Sequence, residues 1–229
     1  MLLYNLNNWQ LFTIAFGLML FVSFIMMMQS RNFYTFHLTK RRFSIMELET
    51  PATYAELVKV IKGLYALPAN DSKKSIGALR RQLWVDFLFM PLAYGSVFLI
   101  CLQVSVKFEP GFWHCIFLIL AVLQLIPWLC DIIENIYLLK KIKQGPNIND
   151  SKEALAAKRK SHKAYLIMEG FKWGIALGAT VSAISAVCYF WLTGNYTASS
   201  LKYLLITLAE IIVFLILAGI FNKKKAVVR

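Results

Sequence analysis

Residues Phe112–Leu139 read FWHCIFLILAVLQLIPWLCDIIENIYLL. That run exceeds the roughly 20 helical residues needed to cross a bilayer core of about 30 Å. Its last third departs from the rest. Asp131, Glu134 and Asn135 fall at i, i+3 and i+4, so a helix presents all three on one face. An acid carried to membrane depth is costly unless it is paired, buried against protein or functional. One stretch therefore sets the fold class and marks where to look for function.

The rest of the chain agrees with it. Apolar residues make up 59% and charged residues 16%, far from soluble averages. Spans are expected at about 9–29, 83–106, 112–139, 165–192 and 201–221. The runs do not alternate in polarity, which excludes a membrane β-barrel. The expected architecture is all-α: a polytopic transmembrane bundle of five spans forming a single membrane domain over 1–229. The flank Met1–Asn8 carries no Lys or Arg, so the first span is read as a retained helix rather than a signal peptide.

Basic residues orient the chain. Ten Lys and Arg lie between Arg31 and Arg81, eight between Lys140 and Lys163, and four in Lys223–Arg229, while the opposite loops hold only Lys107 and Lys202. The positive-inside rule then places the N-terminus outside and the C-terminus in the cytoplasm. That bias and attraction to anionic headgroups account for the net charge of +13 without a nucleic-acid partner. Membrane lipids are the expected partners. The basic loops also offer a surface to a cytoplasmic protein, and a homo-oligomer is compatible with the pattern.

The segment 30–82 is the only sizeable region outside the bilayer. Thr50-Pro51 has the form of an N-cap followed by proline, and Tyr54, Leu57, Val58, Ile61 and Leu64 repeat at helical spacing. An amphipathic helix is expected over about 51–66, lying on the membrane or against the inner ends of the bundle. Ala69–Gly77, rich in small and polar residues, reads as a loop. The basic loop 140–164 opens with the turn Gln144-Gly145-Pro146-Asn147. Asp150-Ser151 then caps a helix, Lys152–Lys163, that runs on into the fourth span. The four cysteines form no zinc spacing and read as small buried hydrophobes.

Depth matching assembles a candidate site. Asp86 lies one turn inside span two, Asp131, Glu134 and Asn135 near the inner end of span three, and Glu169 and Lys172 in the first turns of span four. At 1.5 Å per residue these fall within one or two turns of a common level, flanked by Arg80 and Arg81. Pro91 and Pro127 free backbone carbonyls near it. The competing reading is of interface residues that snorkel or pair locally, as Glu169 can with Lys172 at i, i+3.

Glu210 is the deepest acid, with Ser96, Gln124, Thr180 and Ser182 as hydrogen-bond candidates. The bland reading is an interhelical hydrogen bond. Gly170, Gly174, Gly178 and Ser182 recur every four residues, a helix-packing stripe expected mainly to serve the bundle interior. His37, His114 and His162 do not converge in this topology, and no GxSxG, HExxH, P-loop or GxGxxG motif occurs.

Leu83-Trp-Val-Asp86-Phe87-Leu-Phe89, Asp131-Ile-Ile-Glu134-Asn135 and Phe171-Lys172-Trp173, in that order, resemble a group of small bacterial integral membrane proteins of unassigned function. The similarity runs from about Phe43 to span four. It implies a bacterial inner membrane, and it groups Asp86, Asp131, Glu134, Asn135 and Lys172.

The expected function is binding of a polar or amphiphilic ligand, such as a lipid headgroup or cation, at a carboxylate-rich site near the cytoplasmic face. Lys172, with Arg80 or Arg81, would neutralise a phosphate or balance the acids. No cofactor is evident, though Asp86, Asp131 and Glu134 supply the oxygens a divalent cation takes. Three alternatives stand beside it: a lipid-modifying enzyme using the same carboxylates, a small proton-coupled transporter using Glu210 with the inner cluster, and a non-catalytic scaffold whose basic cytoplasmic helices dock a soluble partner.

Overall fold

The computed structural model describes residues 8–148 and 151–226. Asp150 of the cap signal, Met1–Asn7 of the first flank and the last three residues lie outside them. The chain is 83% helical with almost no sheet. In order it forms α1 (Trp9–Gln29), β1 (Tyr34–Phe36), β2 (Lys40–Arg42), α2 (Met46–Glu49), α3 (Tyr54–Tyr65) and α4 (Ala69–Ser105). There follow α5 (Phe112–Leu123), α6 (Leu125–Gln144), α7 (Lys152–Leu192) and α8 (Ala198–Ala226).

Five stretches are long and apolar enough to cross a membrane: Trp9–Asn32, Ala69–Ser105, Phe112–Asn147, His162–Leu192 and Ala198–Phe221. Their large apolar side chains point outward, among them Phe21, Trp84, Ile119, Ile133, Val181 and Leu215. Water would penalise such a surface, whereas hydrocarbon would not.

The chain divides into two compact units. The first comprises Met1–Ile25, Phe89–Trp128 and Gly174–Arg229. Its core is Trp9, Phe12, Leu102, Phe117, Ala179, Ala183 and Phe190 with their neighbours. Trp9 meets Tyr196 edge-on at 5.6 Å, and Phe108 stacks on Phe117 at 5.6 Å. Lys107 Nζ donates to the Asn195 carbonyl at 2.8 Å and lies 4.9 Å from the Tyr196 ring centroid, tying two loops together.

The third span breaks between α5 and α6. Pro127 has no N–H to offer the Leu123 carbonyl, and the Gln124 N–H turns back to Ala121 and Val122. Pro91 sits inside an uninterrupted α4.

The second unit comprises Met26–Leu88 and Leu129–Trp173. Phe33, Leu48, Leu57, Ile61 and Leu64 pack with Leu79, Leu83, Leu138 and Ile142. Helix α3 thus buries its apolar face against α4 and α6.

Several sequence expectations are corrected. Helix α3 begins after Thr53 rather than Thr50. Thr53 accepts from the Glu56 N–H at 3.2 Å while Glu56 accepts from the Ala52 N–H at 3.0 Å, a reciprocal cap that outweighs the Pro51 signal. Ala69–Gly77 is helix, not loop. Ser72, Ser75, Ala78, Leu79 and Gln82 are buried at helical spacing, so packing overrides the polar composition. Strands β1 and β2 form a hairpin with Tyr34 opposite Arg42, an element not foreseen. Only Cys101 of the four cysteines is buried, while Cys115 and Cys188 are exposed.

The helix-packing stripe also turns out differently. Gly170, Gly174, Gly178 and Ser182 are exposed, and an added Cβ on any of the three glycines would meet nothing within 4 Å. The face of α7 that turns inward carries His162, Glu169, Lys172, Ala179 and Ala183. Charged groups must find partners, and that need fixes the rotation of the helix.

Gly63 is where α3 touches the hairpin. A Cβ there would lie 2.6 Å from the Phe36 carbonyl oxygen, an immovable backbone atom. Gly63→Ala is expected to lower stability by about 1–3 kcal/mol through overpacking. A melting curve in detergent unchanged from the native protein would refute this.

Candidate functional site

The site lies in the second unit and begins with helix periodicity. On α7, His162, Tyr165, Glu169 and Lys172 follow one another at i+3, i+4 and i+3, a single stripe. On α6, Asp131, Glu134 and Asn135 share a face. The two stripes meet at one ammonium. Lys172 Nζ lies 2.7 Å from Asp131 Oδ1, 2.6 Å from Glu134 Oε2 and 2.6 Å from Glu169 Oε2. Three carboxylates thus share one ammonium, which donates a hydrogen bond to Glu134 Oε2. Lys172 is 4% exposed, and Glu134 and Glu169 are each 3% exposed.

Asp86 reaches this network through an amide. Asn135 Nδ2 donates to Asp86 Oδ2 at 2.6 Å and lies 3.4 Å from the Leu83 carbonyl oxygen. The residues matched by depth in the sequence are therefore neighbours in space, with Asp86 held by Asn135 rather than by Lys172.

Arg80 and Arg81 are exposed, and Arg80 lines a separate recess with Tyr65, Ser72 and Lys73. Of the two roles expected of Lys172, balancing the acids is the one this geometry carries, since three carboxylates lie 2.6–2.7 Å from its ammonium. Among the described residues, no group of three or more His, Cys, Asp or Glu is arranged to hold a metal ion. The Lys172 ammonium stands between Asp131 and Glu134, where a cation would have to sit.

Residues that depth matching left out complete the site. The Tyr165 hydroxyl lies 2.8 Å from Glu134 Oε1 and also within hydrogen-bond distance of the Glu49 carbonyl oxygen. Its single hydrogen serves one acceptor at a time. His162 Nε2 lies 3.0 Å from the Pro51 carbonyl oxygen and its ring stacks on Tyr165. Both contacts pin the α2–α3 segment to α7.

Glu49 sits close enough to feel the network. Burial pushes its carboxyl up to about 7, Asp86 adds to the rise, Lys172 opposes it, and Asp131 and Glu169 raise it further. The stripe signal was available for Tyr165 and His162, since both precede Glu169 at helical spacing. Nothing local pointed to Glu49, which arrives from a distant element.

Beside Glu134 opens a cavity of about 280 Å³. Tyr54, Tyr137, His162 and Tyr165 supply aromatic walls, with Ile133, Ala164 and Met168 between them and Lys158 also lining it. Lys141 Nζ lies 5.4 Å from the Tyr54 ring centroid and 5.5 Å from that of Tyr137.

Glu210 belongs to the first unit. It packs against Gly17, where a Cβ would come within 2.7 Å of Glu210 Oε1. Its expected partners look elsewhere. Ser96, Gln124 and Thr180 donate to carbonyls of their own helices, and Glu210 Oε2 has no hydrogen-bond partner among the described residues.

Fold and site together define a helical chain with five potential membrane spans and a buried lysine–carboxylate network beside an aromatic cavity. Comparison with protein-family models, curated proteins and solved structures finds no match to this chain.

Proposed function

We propose that this chain is a bacterial inner-membrane protein, N-terminus outside and C-terminus cytoplasmic, that binds the polar end of an amphiphile at the Glu134 cavity. The distribution of Lys and Arg supports the orientation, and it places α3 and the site at the cytoplasmic boundary of the bilayer. The observation that carries the reading is the cavity itself. The ion pairs around Lys172 do not fill the space beside Glu134, and the space left is apolar-walled with one buried carboxylate and one lysine. Such a concave, aromatic site with few polar groups suits a small ligand or headgroup.

Ala164 lines the cavity and is exposed, so a larger side chain there occupies the space while every member of the ion network keeps its own residue. Native mass spectrometry on protein released from membranes is expected to show a retained amphiphile that Ala164→Trp reduces at least tenfold. Equal retention by native and Ala164→Trp proteins of matching thermal stability would count against the reading.

A further inference from the structure

The cavity is polarised, and its polarity selects among headgroups. Glu134 contributes one wall. Of the roughly four acceptor positions on a carboxylate, Lys172 and Tyr165 occupy two, which leaves capacity facing the cavity. Behind it Asp131, Glu134 and Glu169 converge, each with an oxygen 2.6–2.7 Å from the Lys172 ammonium. Glu169 is 3% exposed with Oε2 2.6 Å from the Lys172 ammonium, yet neither of its oxygens has a hydrogen-bond partner among the described residues. A further cation nearby would be favoured by all three carboxylates in a medium that screens weakly.

The walls suit the same charge. Aromatic rings attract ammonium groups to their faces, and Tyr54, Tyr137 and Tyr165 line the cavity; the first two already lie within 6 Å of the Lys141 ammonium, which donates to the Tyr54 hydroxyl at 3.1 Å. Lys158 contributes the opposite charge. It precedes Tyr165 by two helical turns on α7, about 10 Å along the axis, so the basic group and Glu134 stand at different levels of the cavity.

Resting on the proposed amphiphile-binding role, we infer that the cavity takes an aminophosphate headgroup, with its ammonium against Glu134 between the tyrosine rings and its phosphate on Lys158. A purely anionic headgroup would bring its charge toward Glu134 with no compensating ammonium.

Titration of the full-length protein in nanodiscs tests the headgroup. Phosphatidylethanolamine and phosphatidylglycerol of identical acyl chains are exchanged in, and site occupancy is read by native mass spectrometry, with Ala164→Trp defining the cavity-specific fraction. Expected is at least tenfold preference for phosphatidylethanolamine, weakened severalfold by Lys158→Gln, with Glu134→Gln levelling the two lipids. Soluble ethanolamine added to phosphatidylglycerol nanodiscs separates a lipid headgroup from a free amine. Competition by the free amine as strong as by the lipid, with no effect of Lys158→Gln, would overturn the phosphate half. Equal cavity-specific binding of both lipids would overturn the headgroup assignment while leaving amphiphile binding intact. Absence of any Ala164→Trp-sensitive binding would overturn both.

Discussion

Lys172→Met is expected to destabilise the protein by about 3–5 kcal/mol, the largest effect of any single substitution in the site, because it leaves buried carboxylates without their counter-charge. The lysine is shared by Asp131, Glu134 and Glu169 at 2.6–2.7 Å. A methionine matches its shape and removes only the ammonium. The lost folding energy belongs to the stranded acids, so neutralising them should return much of it. Adding Asp131→Asn, Glu134→Gln and Glu169→Gln to Lys172→Met is expected to recover more than half of the loss in melting temperature. Thermal unfolding in detergent, followed by size-exclusion fluorescence, reads both. A single Lys172→Met protein melting as the native one does would show that the network contributes little.

The second large effect is a pH dependence carried by Glu49. Its carboxyl holds a proton up to about pH 7 in the folded chain, against 4.5 for its ordinary value. Between those values the folded state binds more protons than the unfolded state. Stability attributable to Glu49 therefore falls as pH rises from about 4.5 to about 7 and is level above that, by on the order of 3 kcal/mol. The groups acting on it are Asp86, Asp131 and Glu169, which oppose its ionisation, and Lys172, which favours it. Glu49→Gln cannot ionise. Its melting temperature should match the native protein near pH 4.5 and exceed it by several degrees at pH 8. Parallel curves for the two proteins over this range would exclude Glu49 as the source.

Much of this was readable from hydropathy and helical spacing. The five apolar runs are long enough that their helices follow from backbone hydrogen bonding in hydrocarbon alone. Asp131, Glu134 and Lys172 could be matched because helix rise converts residue counts into depth. Rotation of a helix is not encoded so directly. The glycine stripe of α7 resembled a packing face, yet the face with the charges turned inward. Contacts between distant elements were also invisible. Glu49 meets the network only because the hairpin and α3 fold onto α4 and α6. The cavity beside Glu134 likewise depends on where Tyr54 lands. Ala69–Gly77 misled because its small polar residues suit a packed helix as well as a loop.

The lysine shared by three acids has a consequence for how the chain enters the membrane. On insertion scales a lone lysine or aspartate is disfavoured by about 2.5–3.5 kcal/mol at a helix centre and by less toward the boundary, where this site would lie. The stretch of α7 that carries Glu169 and Lys172 would therefore insert at lower cost once the stretch of α6 with Asp131 and Glu134 is already beside it. Only residues 145–151 separate the two helices. The third and fourth spans should accordingly leave the translocon as one hairpin, their charges neutralised before lipid surrounds them.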